Sequence, residues 1–192
     1  MSGAQLLPVF LKLEGRKVLL VGAGPVAASK LPALLASRAD VTVVAPEVRY
    51  EIAATSVRIE RRAFRPDDLD GAWLVVAAAP PEVNLAVSQA ADERHIFLNA
   101  VDDRSAASVY TGGVLRRGGL TIAVSTGGRA PALAGLLREA IEELIPEDVS
   151  NWVELASTLR REQQAAGLAM GARRPRLLEA LNRRYAEKTV HA

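Results

Sequence analysis

The chain has 192 residues, 49% of them hydrophobic and only 4% aromatic, and a formal net charge of +2. That is enough apolar material for a sizeable aliphatic core, and so small a charge gives no reason to expect nucleic acid as a partner. There is no cysteine, which excludes a disulfide framework and a thiolate metal site, and no apolar run is long enough to span a bilayer. Residues 1–10 lack the basic start and long apolar stretch of a signal peptide, so a cytoplasmic location is expected.

The first predicted element is an apolar strand at 18–21 that runs into a glycine turn. Gly22 and Gly24 let the backbone turn tightly against a phosphate, and Ala27 lets the following helix, 26–38, pack close to the sheet. The free N–H groups and positive end of that helix then face an anion, so the turn predicts where a dinucleotide diphosphate would lie. Pro32 falls inside this helix and is expected to kink it.

Apolar runs at 41–45, 57–59, 73–78 and 96–101 read as four further strands, with a second helix at 82–94. Strand and helix in alternation predict a parallel sheet with crossover helices. The cluster Asp67, Asp68, Leu69, Asp70 and Gly71 reads as a loop or short turn whose carboxylates are solvated. His95 lies at a helix-to-strand junction and His191 near the end of the sequence, so no histidine cluster is available for a resident metal.

After residue 105 the pattern changes. Residues 108–115 and 120–125 read as two strands joined by Arg116, Arg117, Gly118 and Gly119, a hairpin. A helix with proline near its start follows at 131–144, and two more helical stretches are predicted at 148–166 and 174–187. Charge is divided unevenly: residues 1–111 hold 12 Lys and Arg against 13 Asp and Glu, and residues 112–192 hold 12 against 9. The arginine pairs at 116–117, 160–161, 173–174 and 183–184 either solvate helix faces or line a site for a polyanion.

In order, LPVFLKLEGRKVLLVGAGPVAASK, VTVVAPE, AFRPDDLDGAWLVVAAAP, IFLNAVDD and LTIAVSTGGRAPALAGLLREAIEELIP resemble the precorrin-2 dehydrogenase and sirohydrochlorin ferrochelatase family of sirohaem biosynthesis, nearly continuously over about 6–146. The resemblance implies an α/β fold: a Rossmann-like parallel sheet at 1–111, a β-hairpin/helix dimerisation segment at 112–146, and a small helical domain at 147–192. It implies NAD-dependent oxidation of precorrin-2 to sirohydrochlorin by a homodimer, in some members followed by ferrous iron insertion. Neither nucleic acid nor membrane is expected as a partner.

The cofactor is then expected on Gly22, Gly24, Pro25 and Val26, on Ala45, Pro46 and Glu47 past the second strand, and on Ala78 and Ala79 past the fourth. An acidic residue about 20 positions beyond the glycines is not cleanly present; Glu47 lies slightly beyond the strand end, and Arg49 leaves room for a 2′-phosphate. Asp102 matches the family's general base and its carboxylate for guiding iron, a role suited to a group at the carboxyl edge of the sheet; the residues alone also allow an Asx turn at Asp102 or Asp103. Ser125, Thr126, Gly127 and Arg129 lie between a strand and a helix and suit a substrate carboxylate, with helix capping by a hydroxyl as the other reading. A noncatalytic dinucleotide sensor with a helical, partner-binding C-terminal part is the alternative function.

Overall fold

The computed structural model describes residues 5–101, 103 and 105–190, with side chains up to residue 183. Its contacts divide the chain into two compact units, Met1–Thr111 and Gly112–Ala192.

The first unit contains five strands, β1 (Lys17–Val21), β2 (Asp40–Val44), β3 (Arg58–Glu60), β4 (Leu74–Ala77) and β5 (Phe97–Ala100). All pair in parallel in the order β3-β2-β1-β4-β5. Between them run α1 (Pro25–Ala36), the short α2 (Tyr50–Ala53), a 3₁₀ turn (Pro66–Leu69) and α3 (Pro81–Glu93). The alternation of side chains along a strand sends Val18, Leu20, Val41, Val43, Leu74 and Val76 to one face, where Ala27, Leu31 and Leu34 of α1 and Ile52 of α2 cover them. Leu19, Val21, Val75 and Ala77 point to the other face, against Leu69 and Val87, Ala90 and Ala91 of α3. Each fully buried leucine or valine contributes about 1.5–3 kcal/mol, so two apolar faces, not helix propensity, hold the layers together.

That magnitude accounts for Pro32. An interior proline costs a helix about 3 kcal/mol, yet α1 runs as one segment through it because Leu31 and Leu34, both buried, anchor the helix on the sheet on either side. The predicted loop at 67–71 contains the 3₁₀ turn, and Asp68 is not a solvated carboxylate. It takes a two-pronged hydrogen bond from the Arg62 guanidinium (2.6 and 2.9 Å) and a third from the Arg65 N–H (2.8 Å).

The second unit opens with β6 (Gly113–Arg117) and β7 (Leu120–Val124), an antiparallel hairpin whose turn residues Gly118 and Gly119 both have positive φ (54° and 83°). A two-residue turn of that hand matches the twist of paired strands and favours glycine. The first hairpin strand is shorter than expected: residues 108–112 do not join it, and Ser108 and Val109 instead bond back to Leu98 in β5. Helices α4 (Pro131–Leu144), α5 (Val149–Ala165) and α6 (Met170–Val190) follow, the last beginning before the predicted residue 174. Arg117 joins hairpin to helix, donating to the carbonyls of Glu142 (3.2 Å) and Ile145 at the end of α4. No described helix is long and apolar enough to cross a membrane.

Candidate dinucleotide site

The carboxyl ends of β1, β2 and β4 meet where the strand order reverses, since the chain leaves β1 toward β2 on one side and enters β4 on the other. Open sheets leave a ligand crevice there. Backbone bonds hold the three ends in register: the Gly22 N–H donates to Val44 O (2.9 Å) and the Ala78 N–H to Val21 O (2.8 Å). Gly22 has φ +97°, and a Cβ at this position would stand 2.2 Å from the Ala78 carbonyl oxygen. No other residue lets β1 turn so close to the end of β4.

Gly24 differs from Gly22. It has φ −81°, a Cβ there would meet nothing within 4 Å, and it precedes α1 without a side-chain cap. Open space in front of uncapped helix N–H groups fits a diphosphate, which would take those bonds and face the positive end of α1. Pro25 and Val26 are exposed at the same place, with Pro25 in the first turn where its missing N–H costs nothing. Beyond β2, Ala45 is buried and bonded to Glu60 O (3.1 Å), whereas Pro46 and Glu47 are exposed. Beyond β4, the Ala79 N–H is held by Asn84 Oδ1 (3.0 Å), and Pro81 opens α3. All nine residues expected to bind the cofactor thus lie along this one edge.

At β5 the structure shows how the next loop is anchored. The Leu98 N–H donates to Ser108 Oγ (2.8 Å), the N–H groups of Ser108 and Val109 both donate to Leu98 O (2.9 Å each), and buried Asn99 donates from Nδ2 to Val109 O (2.9 Å). Asp103 makes the Asx turn, its Oδ1 accepting from the Ser105 N–H (2.9 Å), the Ser105 hydroxyl (2.6 Å) and the Ala106 N–H (3.1 Å). The Ser105 hydroxyl and these amides hold the Asp103 carboxyl below its ordinary value, so it is ionised. Asp102, the expected base, and His191 lie outside the described residues. His95 is where the sequence put it, between α3 and β5, with φ 54°. Among the described residues no group of three or more His, Cys, Asp or Glu could hold a metal ion.

Ser125, Thr126, Gly127 and Arg129 form the turn between β7 and α4 in the second unit. Ser125 Oγ accepts the Gly127 N–H (3.1 Å), Thr126 Oγ1 accepts the Ala130 N–H at the entry to α4 (3.0 Å), and Arg129 Nε donates to Thr126 O (3.2 Å). Both hydroxyl oxygens therefore serve the turn itself, and their protons remain available to an acceptor. A separate cleft of about 490 Å³ opens beside β5, between Ser88 and Asp92 of α3 and Ser105 and Ser108 of the loop; among the described residues, none of the expected site residues lines it.

Three contributors to the dinucleotide edge escape a reading by motif. Asn84 orders Ala79, Asn99 ties β5 to its loop, and the Arg49 N–H donates to Ala23 O (3.2 Å) inside the glycine turn. Of these, Asn99 carries a signal in the sequence as a polar residue in an apolar strand, and Arg49 carries one only as room for a 2′-phosphate, not as a bond to the glycine turn.

The family model described as "Putative NAD(P)-binding" matches residues 9–113, and the model for the sirohaem biosynthesis protein central region matches residues 117–144. Siroheme synthase 3 of Aeromonas hydrophila is 44% identical over 173 residues, which is 88% of this chain and 37% of that protein. The siroheme synthase of Citrobacter koseri is 39% identical over 193 residues, 97% of this chain and 42% of that protein. The chain thus spans well under half the length of these relatives. The solved structure of SirC, precorrin-2 dehydrogenase, superposes with a TM-score of 0.70 at 26% identity, covering 91% of this chain and 88% of that one. Parallel sheet, glycine turn and sirohaem-type central region occur here in one continuous order, and the chain belongs to the NAD(P)-binding family of sirohaem biosynthesis proteins that its sequence resembles.

Proposed function

We propose that this protein oxidises precorrin-2 to sirohydrochlorin with NAD as the acceptor, as a cytoplasmic homodimer. The observation that carries the reading is the edge where Gly22 packs against Ala78 while Gly24 leaves open space before α1, in a chain of this family. Residues 1–111 act as the dinucleotide-binding domain, 112–146 as the dimerisation segment and 147–192 as a small helical domain. Support for the dimer comes from Leu133, Leu136, Leu137 and Leu144 of α4, which expose large apolar side chains.

Gly22, Gly24, Pro25 and Val26 hold the diphosphate, Ala45, Pro46 and Glu47 flank the adenosine ribose, and Ala78 and Ala79 border the nicotinamide. Bound there, NAD would supply a hydride acceptor. Oxidation removes a hydride and a proton from the tetrapyrrole, and the Asp102 carboxylate takes the proton. Ser125 and Thr126 donate to a substrate carboxylate through their hydroxyls, Gly127 shapes the turn that presents them, and Arg129 supplies a cation for it. In iron insertion the metal is substrate: the ring nitrogens bind it, and Asp102 guides it in.

The test is anaerobic absorbance at the NADH band when the purified chain meets precorrin-2 and NAD without metal. A rise proportional to protein concentration is expected; ferrous iron added afterwards tests insertion. Asp102→Ala is expected to lower turnover about 10²–10⁴-fold while NADH binding persists. A folded protein that gives no rise with either NAD or NADP overturns the enzymatic reading in favour of a dinucleotide sensor.

A further inference from the structure

The chain beyond β2 carries a charge arrangement that hydride transfer does not require. Segment 45–52 is fixed on several sides: the Ala45 N–H bonds Glu60 O, the Arg49 N–H bonds Ala23 O in the glycine turn, and Ile52 is fully buried with Val48 packed against the same core. From this anchored stretch the side chains of Arg49 and Glu51 meet in a two-pronged pair, Nε to Oε2 at 3.2 Å and Nη2 to Oε1 at 2.7 Å. The hydrogen bond between them raises the Arg49 guanidinium and lowers the Glu51 carboxyl from their ordinary values, so both are charged at neutral pH. Glu47, exposed two residues before Arg49, adds a second carboxylate.

In doubly wound sheets the adenosine ribose lies outside the end of the second strand, and the group there distinguishes the two nicotinamide dinucleotides. A free guanidinium donates parallel hydrogen bonds to the 2′-phosphate of NADP, whereas a carboxylate repels that dianion and accepts from the 2′-hydroxyl of NAD. Here one arginine lies between two carboxylates in the sequence, and its Nε and Nη2 donors are already in use on Glu51.

We propose that Glu51 sets the dinucleotide preference of this site by occupying the Arg49 guanidinium, so that the chain selects a 2′-hydroxyl and gains affinity for a 2′-phosphate once that carboxylate is removed. The proposal rests on the dinucleotide reading above. The pair is half-exposed, 47% for Arg49 and 55% for Glu51, and exposed pairs are weak. Removing a single carboxylate therefore frees the arginine without disturbing the buried anchors. Among the described residues, the cations directly past β3 are Arg62, taken by Asp68 and Glu60, and exposed Arg61.

The experiment is a direct titration of the full chain with NADH and NADPH, read by nicotinamide fluorescence, for the unsubstituted protein, Glu51→Gln, Arg49→Gln and the double substitution. The unsubstituted protein is expected to bind NADH more tightly. Glu51→Gln is expected to strengthen NADPH binding about tenfold and change NADH binding less than about twofold, and Arg49→Gln in that background is expected to abolish the gain. An unsubstituted preference for NADPH, no gain in Glu51→Gln, or a gain that survives Arg49→Gln each overturns the proposal. Binding of NADH with no change in preference sinks the role of Glu51 alone, whereas failure of the unsubstituted chain to bind either dinucleotide sinks the site itself and this inference with it.

Discussion

In the first unit Val18, Leu19, Leu20, Val43 and Val75 have no exposed surface, and both faces of the sheet are covered by the same unit. In the second unit the buried residues, among those described, are Leu115, Ala134, Val149 and Gln163, while Leu136 and Leu144 of α4 are 64% and 78% exposed. One unit closes its own core; the other, among its described residues, leaves an amphipathic helix with an apolar face outward. A parallel sheet must be covered on both sides to satisfy its strands, but a hairpin with helices packs through one side and leaves the far face of α4 free for another surface.

The largest expected effect sharpens this contrast within the first unit. Gly22→Ala forces a methyl onto the Ala78 carbonyl at a positive φ and is expected to destabilise by at least about 3 kcal/mol in urea denaturation. Gly24→Ala, where a methyl meets nothing, is expected to cost no more than about 1 kcal/mol and yet to weaken NADH binding, because the methyl points into the open space proposed for the diphosphate. Equal losses of stability at the two glycines would contradict the assignment of one to packing and the other to ligand.

Between the units, Leu19→Ala is expected to cost about 2–5 kcal/mol, and Leu136→Ala to change monomer stability by less than about 0.5 kcal/mol. If a second copy covers α4, Leu136→Asp shifts the sedimentation coefficient from dimer to monomer with secondary structure intact. An unshifted boundary would leave the exposed face without a homodimer role.

Arg117→Ala removes donors to the final carbonyls of α4 and the contact to Glu142 (3.4 Å). A loss of about 1–2 kcal/mol is expected, confined to the second unit and visible as faster amide exchange in α4 while β1 and β4 keep their protection.

The smallest effect concerns pH. Arg62 holds the Asp68 carboxyl below its ordinary value through their hydrogen bond, helped by the Arg65 N–H. A carboxyl depressed in the folded state stabilises fully above its unfolded value of about 3.9 and loses that contribution as pH falls through the folded value. Asp68→Asn should therefore be less stable at neutral pH, the gap closing as the solution is acidified below about pH 4. A gap that stays constant would show that the ionised form is not what matters.

Much of the first unit was legible in the sequence because its signals are local and repeated. Apolar runs of strand length alternate with helical stretches, and glycine after β1 has a stereochemical meaning, so strand ends fell within a residue or two and the nine residues expected to bind the cofactor lie on one edge. Residues 108–112 were misread as part of a hairpin strand because apolar alternation cannot tell a strand from a segment folded back onto β5 by Ser108 and Val109. The hydroxyls near Thr126 have two readings in the sequence; in the structure Thr126 Oγ1 accepts the Ala130 N–H within the turn before α4, and α4 itself carries no side-chain cap.

By itself the sequence determined the parallel α/β class, the position of the glycine turn, the hairpin and its helices, and the family, since each follows from periodicity, backbone stereochemistry or the order of short motifs along the chain. Only the tertiary structure decided that Gly22 serves packing while Gly24 faces open space, that Asp68 is paired and not solvated, and that Arg49 is tied to the glycine turn and matched with Glu51. These are relations between residues distant in the chain or facing a particular side. A sequence records which groups exist, and distance, burial and orientation then determine which of them meet.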